Sequence, residues 1–383
     1  MTTLSAEQHG RSPAMPERRR VLLAPITITP SKPLTPSHLK GILWTDVMYR
    51  ATLPLADVTY RYSHTTYHPT EQTLGFWEFL DRTRGDTDYA ELTEDAIGEL
   101  YVAFRAAPRT PAAALRPYAE AAERGWVHPA SARVLRLWTG HYAALGLHDP
   151  GLLRRQPPGL TLDAALERLA ELDMCLDQRA VGGPVYLDLT RFGLPLRQLV
   201  TADGRPNYLA CALRELLPLA PEFDEVVLLY DSELDADYQQ LERVIRALGP
   251  DVRRVSLGRV PIDGQIRSAR HGGWHDLHAG ALLSAARRDH DPAAVRLGMR
   301  LYFIAVLGPG QRQSFRADLL HQNIRRAERL LAAALREPRP ALEEGLARHR
   351  KDHVYVDPYR LTSGLLGKRR SAPASELLTT VFS

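Results

Sequence analysis

The chain has 383 residues, 44% hydrophobic and 25% charged, which is the usage of a globular protein and excludes disorder, collagen or coiled coil as the overall reading. Its 49 basic and 45 acidic residues leave a formal charge of +4, a small excess that permits an anionic partner such as a nucleotide or tRNA without demanding one. Two cysteines, Cys175 and Cys211, exclude a disulfide framework, and no C-x-x-C pair offers a zinc site. A reducing cytoplasm is the expected compartment.

Residues 1–20 are polar and basic and read as a flexible arm. The apolar run from Val21 to Ile28 is short and broken by Pro25, so neither a signal peptide nor a membrane span is expected. The stretch from Arg20 to Thr29 instead predicts a buried strand. A turn rich in proline and hydroxyls follows, and then a helix from His38 to about Leu53, with Ser37 as the expected N-cap. Val58 to Ser63 alternates as a strand does. Residues 76–180 are helical in pattern, with loop signals at 106–111 and 150–158. Beyond them come a strand at Val185 to Leu189, a helix at Tyr208 to Leu217, a very apolar strand at Glu225 to Tyr230 and a helix at Asp235 to Leu248.

Strands alternating with helices predict an α/β protein with a doubly wound parallel sheet, interrupted by a helical insertion and followed by a C-terminal helical segment. The expected divisions are an arm (1–20), the first half of the core (21–84), the insertion (85–180), the second half of the core (181–280), a helical segment (281–340) and an irregular tail with a helix at its end (341–383). In the helical segment, Phe303, Leu307, Phe315 and Leu319 form an ordinary packing face.

A strand end, a turn and a helix N-terminus gather backbone N–H groups and a positive dipole end, an arrangement that suits a phosphate. The turn here adds Lys32, several hydroxyls and His38. Taken alone, this is more simply an ordinary buried strand–helix connection whose His and Lys are exposed. The run SKPLTPSHLKGILWTDVMYR (31–50), however, resembles the first signature of class I aminoacyl-tRNA synthetases, and of the arginyl type in particular. Lys32, Pro33, Leu34, His38, Leu39, Lys40, Asp46 and Arg50 fall in register with it. Three further ordered blocks are similar to the same family. They are GPVYLDLTRFG (183–193) with LVTADGRPNYL (199–209), then FDEVVLLYDSE (223–233), and lastly VSLGRV (255–260) with DGQIRSARHGG (263–273) in the place of the mobile second-signature loop.

The resemblance implies a nucleotide-binding core in which ATP, accompanied by Mg2+, lies over the first helix N-terminus. It implies that positive charge and hydrogen bonds stabilise the α-phosphate while a carboxylate attacks it. On that basis Lys32, His38, Ser268 and Arg270 are the expected catalytic residues. Thr35, Ser37, Gly258 and Arg267 are expected against the nucleotide, and Thr29, Gln72, Tyr208, Ala212 and Leu234 against the substrate. The departures carry information as well. Thr35 stands for the first signature histidine and Ser37 for a glycine, and the loop has arginines where lysines are usual. Ala24, Thr29, Ala212 and Leu234 stand where the family grips a guanidinium, so the expected acid is smaller or more apolar than arginine. A counterpart of the family's tRNA-contacting N-terminal domain is not expected among these residues, nor is anticodon reading in the usual manner.

The expected function is ATP-dependent activation of a carboxylic acid, an amino acid other than arginine, with transfer to an amine acceptor in specialised metabolism. Two alternatives stand beside it. One is an aminoacyl transferase that takes its acyl group from charged tRNA without ATP, its acceptor stem held by arginines such as Arg325, Arg326 and Arg329; a solvated face is the plainer reading of these. The other is a synthetase-like module without catalysis. His64, His68, His271, His275 and His278 lack the carboxylate spacing of a metal site, so no metal ligand is expected among them. Cys211 reads as a small packing residue.

Overall fold

The structure, a computed structural model, describes residues 18–61, 68–266, 272–310, 313–334, 342–367 and 375–382. Strand β1 (Arg20–Pro25) is buried on both faces from Val21 to Ala24, as an unbroken apolar run in the middle of a parallel sheet must be. It pairs on one side with β2 (Asp57–Tyr60) and on the other with β6 (Glu225–Asp231), which in turn pairs with β7 (Asp251–Leu257). All three pairings are parallel, and the order is β2-β1-β6-β7. The ladder stops at Pro25, short of the expected Thr29. Residues 26–29 leave the sheet and become the wall of a cavity.

Helix α1 (Pro36–Thr52) follows β1, and helix α8 (Asp235–Arg246) joins β6 to β7. The N-cap of α1 is Thr35 rather than Ser37. Pro36 takes the first helical position, where its missing N–H costs nothing. Leu39, Leu43, Val47, Met48 and Ala51 of α1 are all buried because the helix lies between the sheet and later helices. From β1 the chain adds β2 on one side and later β6 and β7 on the other, so the crevice at the carboxyl ends of β1 and β6 is the switch point of the fold.

Between the two halves of the sheet run α2 (Glu71–Arg84), α3 (Glu94–Ala106), α4 (Ala112–Glu123), α5 (Pro129–Leu145) and α6 (Leu162–Glu171). They are followed by β3 (Cys175–Asp177), β4 (Val185–Leu187) and β5 (Arg197–Val200), a separate antiparallel sheet, and then by α7 (Tyr208–Leu219). The expected strand at 185 is therefore real, but it belongs to this small sheet. β7 escaped the sequence pattern because it is an edge strand with charges at Asp251, Arg253 and Arg254; Arg254 pairs with Asp235 at 2.8 Å and Arg253 with Asp352 at 3.1 Å.

After β7 come α9 (Ala279–Asp289), α10 (Pro292–Arg300), a π-helical continuation over Leu301–Val306, and α11 (Ala317–Ala334). Tyr302 and Phe303 are fully buried and Phe315 packs on both, with ring centroids 5.6 and 6.2 Å away. The last segment holds α12 (Leu342–Ala347) and α13 (Pro358–Leu366) where irregular chain is expected, and α14 (Ser375–Phe382) is the helix expected at its end. It is stitched to the sheet. Glu225 accepts the Val354 N–H at 3.0 Å, and Thr52 Oγ1 accepts the Val356 N–H at 3.0 Å.

Candidate active site

The crevice at the switch point opens into a cavity of about 300 Å³ between the N-terminal turn of α1, the ends of β1 and β6, and the start of α2 and α7. The turn that carries Lys32 is held from outside the sheet. Glu94 accepts the Leu34 N–H at 3.1 Å, together with Trp138 Nε1 and His141 Nε2, each at 2.7 Å. The Leu34 carbonyl accepts the N–H of Ala279, the first residue of α9, at 2.8 Å. The α3 helix approaches so closely that a Cβ at Gly98 would lie 2.8 Å from both Pro33 and Trp274. A carboxylate in the helical insertion thus fixes the signature turn, a role that nothing in local sequence spacing reveals.

Lys32 is buried to 8% exposure, with its ammonium 4.8 Å from the centroid of the Tyr101 ring. His38 lines the cavity, and its Nδ1 accepts the Thr35 backbone N–H at 3.1 Å. Burial, Lys32 and Arg259 together hold the His38 pKa down at about 3, against a weaker opposing pull from the Pro33 carbonyl. The ring is neutral at physiological pH. With Nδ1 used as an acceptor, the proton of the neutral tautomer is assigned to Nε2, which makes His38 a hydrogen-bond donor rather than an acid.

Arg259 and Asp231 complete the polar wall. Arg259 Nε donates to Asp231 at 2.9 Å and Arg259 pairs with Glu233 at 2.9 Å. Burial raises the Asp231 pKa, and Arg259 opposes the rise. Neither residue was singled out from the sequence, although the quoted blocks contain both. Ser37 and Lys40 bind α1 to the exit of β7. Ser37 Oγ accepts the Val260 N–H at 3.0 Å, and Lys40 Nζ donates to the carbonyls of Gly258 at 2.8 Å and Pro309 at 3.2 Å. Burial draws the Lys40 pKa down to about 8, with Asp231 opposing.

Of the residues expected at the site, Lys32, Ser37, His38, Thr29, Gln72, Tyr208 and Leu234 come together around this cavity. Tyr208 and Ala212 also border a smaller recess beside it. Thr35 acts as the helix cap, and Gly258 has its N–H on Pro309 and its carbonyl on Lys40. Arg267, Ser268 and Arg270 lie outside the described residues. Cys211 is fully buried, with its thiol pushed up to about 12 by burial. Among the histidines, His275 pairs with Glu99 and His278 with Asp95, each at 3.2 Å, while His64 and His271 lie outside the described residues. Arg326 donates to the Leu366 carbonyl at 2.5 Å, capping α13, which leaves Arg325 and Arg329 as the exposed arginines of that group. No helix among the described residues is long and apolar enough to cross a membrane.

A parallel sheet with a crevice at its switch point, the turn carrying Lys32 before the first helix and a helical C-terminal region make up the fold. Solved arginyl-tRNA synthetases share this fold. The chain is similar to the arginyl-tRNA synthetase of Thermus thermophilus, with 17% identity over 96% of this chain and 80% of that one and a TM-score of 0.64. It is similar to the arginyl-tRNA synthetase of Plasmodium falciparum, with 12% identity over 88% of this chain and 63% of that one and a TM-score of 0.55. No protein-family model and no curated protein sequence matches the chain.

Proposed function

We propose that this protein uses ATP to activate a small carboxylic acid, an amino acid other than arginine, and passes the acyl group to an amine. The observation that carries the reading is the convergence of Lys32, neutral His38 and Arg259 on one cavity at the N-terminus of α1. An acid oxygen attacking the α-phosphorus pushes negative charge onto the phosphate oxygens as pyrophosphate leaves. Lys32 and Arg259 supply positive charge there, and His38 supplies an N–H. His38 gives this hydrogen bond as a neutral donor, from the tautomer protonated at Nε2. Mg2+ would accompany the triphosphate. Thr29, Gln72 and Tyr208 face the acid, and Asp231 offers a carboxylate for an α-ammonium group.

Two features argue against arginine. The recess beside Tyr208 holds only about 30 Å³, and Glu215, which borders it, is already paired with Arg61 at 3.2 Å. A guanidinium would need both space and an available carboxylate.

One observation favours the second reading, an acyl transferase fed by charged tRNA without ATP. The Val260 N–H and Gly258 carbonyl, a backbone edge beside the phosphate site on which a base could be read, are taken by Ser37 and Lys40. Calorimetry separates the two. The activation reading expects a sulfamoyl adenylate analogue to bind, and His38→Ala to weaken it. Absence of binding by ATP, AMP and the analogue alike removes it.

A further inference from the structure

The main cavity does not end at Tyr208. Pro25, Thr27 and Tyr208 border it and also a second space of about 30 Å³, lined further in by Ala24, Ala212 and Leu228. The small side chains at 24 and 212 face larger ones across the recess: Arg61, just past the end of β2, together with His68, Leu216, Tyr238 and Leu241. One terminal nitrogen of Arg61 donates to Glu215 at 3.2 Å and to the Pro157 carbonyl at 3.2 Å, and the other donates to Gln156 Oε1 at 3.1 Å. The Arg61 Nε is buried and has no hydrogen-bond partner. Tyr208, Ala212 and Glu215 follow at i, i+4 and i+7 on α7, so all three share the helix face that borders the recess. The Glu215 side chain is only 7% exposed.

We propose that Arg61 is a built-in plug of the substrate side-chain recess. Its guanidinium occupies, with Glu215, the place that a longer side chain would take. The acid accepted by the wild-type protein therefore has a side chain short enough to stop at Tyr208. Truncation of Arg61 converts the recess into a receptor for a guanidinium-shaped cation, with Glu215 as its partner. The statement about the acid rests on the activation proposed above, whereas the statement about the cation stands without it.

The test uses Arg61→Ala and ethylguanidine, with sodium chloride as the ionic control, read by calorimetry and by the thermal unfolding midpoint. The variant is expected to bind ethylguanidine at least about tenfold more tightly than the wild type, because the ligand restores a guanidinium beside the Glu215 carboxylate. Glu215→Gln in the Arg61→Ala background is expected to abolish the gain. Equal binding by wild type and single variant overturns the proposal, and so does a gain that survives Glu215→Gln. If the single variant does not fold, the double variant, which buries no charge at this point, is compared with wild type for the sulfamoyl adenylate of norleucine. Tighter binding by the double variant supports the plug, and unchanged binding overturns it. Pyrophosphate exchange tells the two statements apart. Exchange by the wild type with norleucine as readily as with alanine overturns the short side chain and leaves activation standing. No exchange with any acid removes activation and leaves the cation result to decide the plug.

Discussion

Asp46 of α1 offers the most quantitative test of the packing that supports the site. Its side chain is 2% exposed, and Arg300, 254 residues later at the end of α10, is 0% exposed. Asp46 Oδ2 accepts from Arg300 at 2.6 Å, while Oδ1 accepts from Arg50 Nε at 3.0 Å and from the His148 N–H at 2.8 Å. Burial pulls the Arg300 pKa down and Asp46 pushes it back up, so the cation depends on this carboxylate. Breaking a buried pair from one side costs about 3–5 kcal/mol. Arg300 would keep the Leu145 and Arg296 carbonyls at 2.9 and 3.1 Å, which places Asp46→Ala near the lower end, at about 3 kcal/mol. Asp46→Asn keeps one acceptor but turns its amide N–H2 toward Arg300 or toward Arg50 and the His148 N–H, so it should cost nearly as much, at about 2–3 kcal/mol. Arg300→Met should cost less than Asp46→Ala, because Asp46 then retains Arg50 and the His148 N–H. In urea unfolding followed by circular dichroism, the double variant should be more stable than Asp46→Ala alone. Additive losses, or a loss for Asp46→Ala below about 1 kcal/mol, refute the reasoning.

Other consequences follow from single contacts. His38 titrates near 3 in the folded chain against an ordinary 6.5, so the unfolded chain binds the extra proton between those values. Stability is therefore full above about pH 6.5 and falls as pH drops toward 3, by at most about 1.4 kcal/mol per unit. His38→Gln should flatten that acid limb, and an unchanged limb assigns it to other groups. Ser37→Gly frees the Val260 N–H, and calorimetry should then show adenosine nucleotides binding about three- to tenfold more tightly, the worth of one hydrogen bond; unchanged affinity would mean that Ser37 does not compete with a base. Glu94→Gln loosens the turn that carries Lys32 and should lower melting stability by about 1–2 kcal/mol, since one charged acceptor becomes a neutral one and the other becomes an amide N–H2; no change would place the turn's anchor elsewhere.

The order of the core strands and helices was legible because β1 and β6 are unbroken apolar runs and α7 and α8 begin at clear turn signals. The signature turn was legible from the resemblance, and seven of the residues expected at the site do meet around one cavity. What escaped were interactions between distant segments. Glu94 reaches Leu34 across 60 residues, Arg61 reaches Glu215 across 154, and Glu225 reaches Val354 across 129. Each is a single polar contact with no periodicity to announce it. The tail before its last helix was misread for a related reason: Val354, Val356, Leu361 and Leu365 are buried, but they lie on segments too short to show a helical repeat. The cap of α1 moved from Ser37 to Thr35 because Pro36 is tolerated at the first helical position, so the helix could begin two residues earlier than expected.

The account rests on ATP being consumed at the cavity formed by Lys32, His38 and Arg259. The most direct measurement is release of AMP and pyrophosphate from ATP by purified, ribonuclease-treated protein supplied with a panel of short-chain amino acids and an amine. Activation predicts acid-dependent release without any tRNA, reduced about a hundredfold or more in His38→Ala. Product that forms only from charged tRNA, with no AMP released and no effect of omitting ATP, contradicts it.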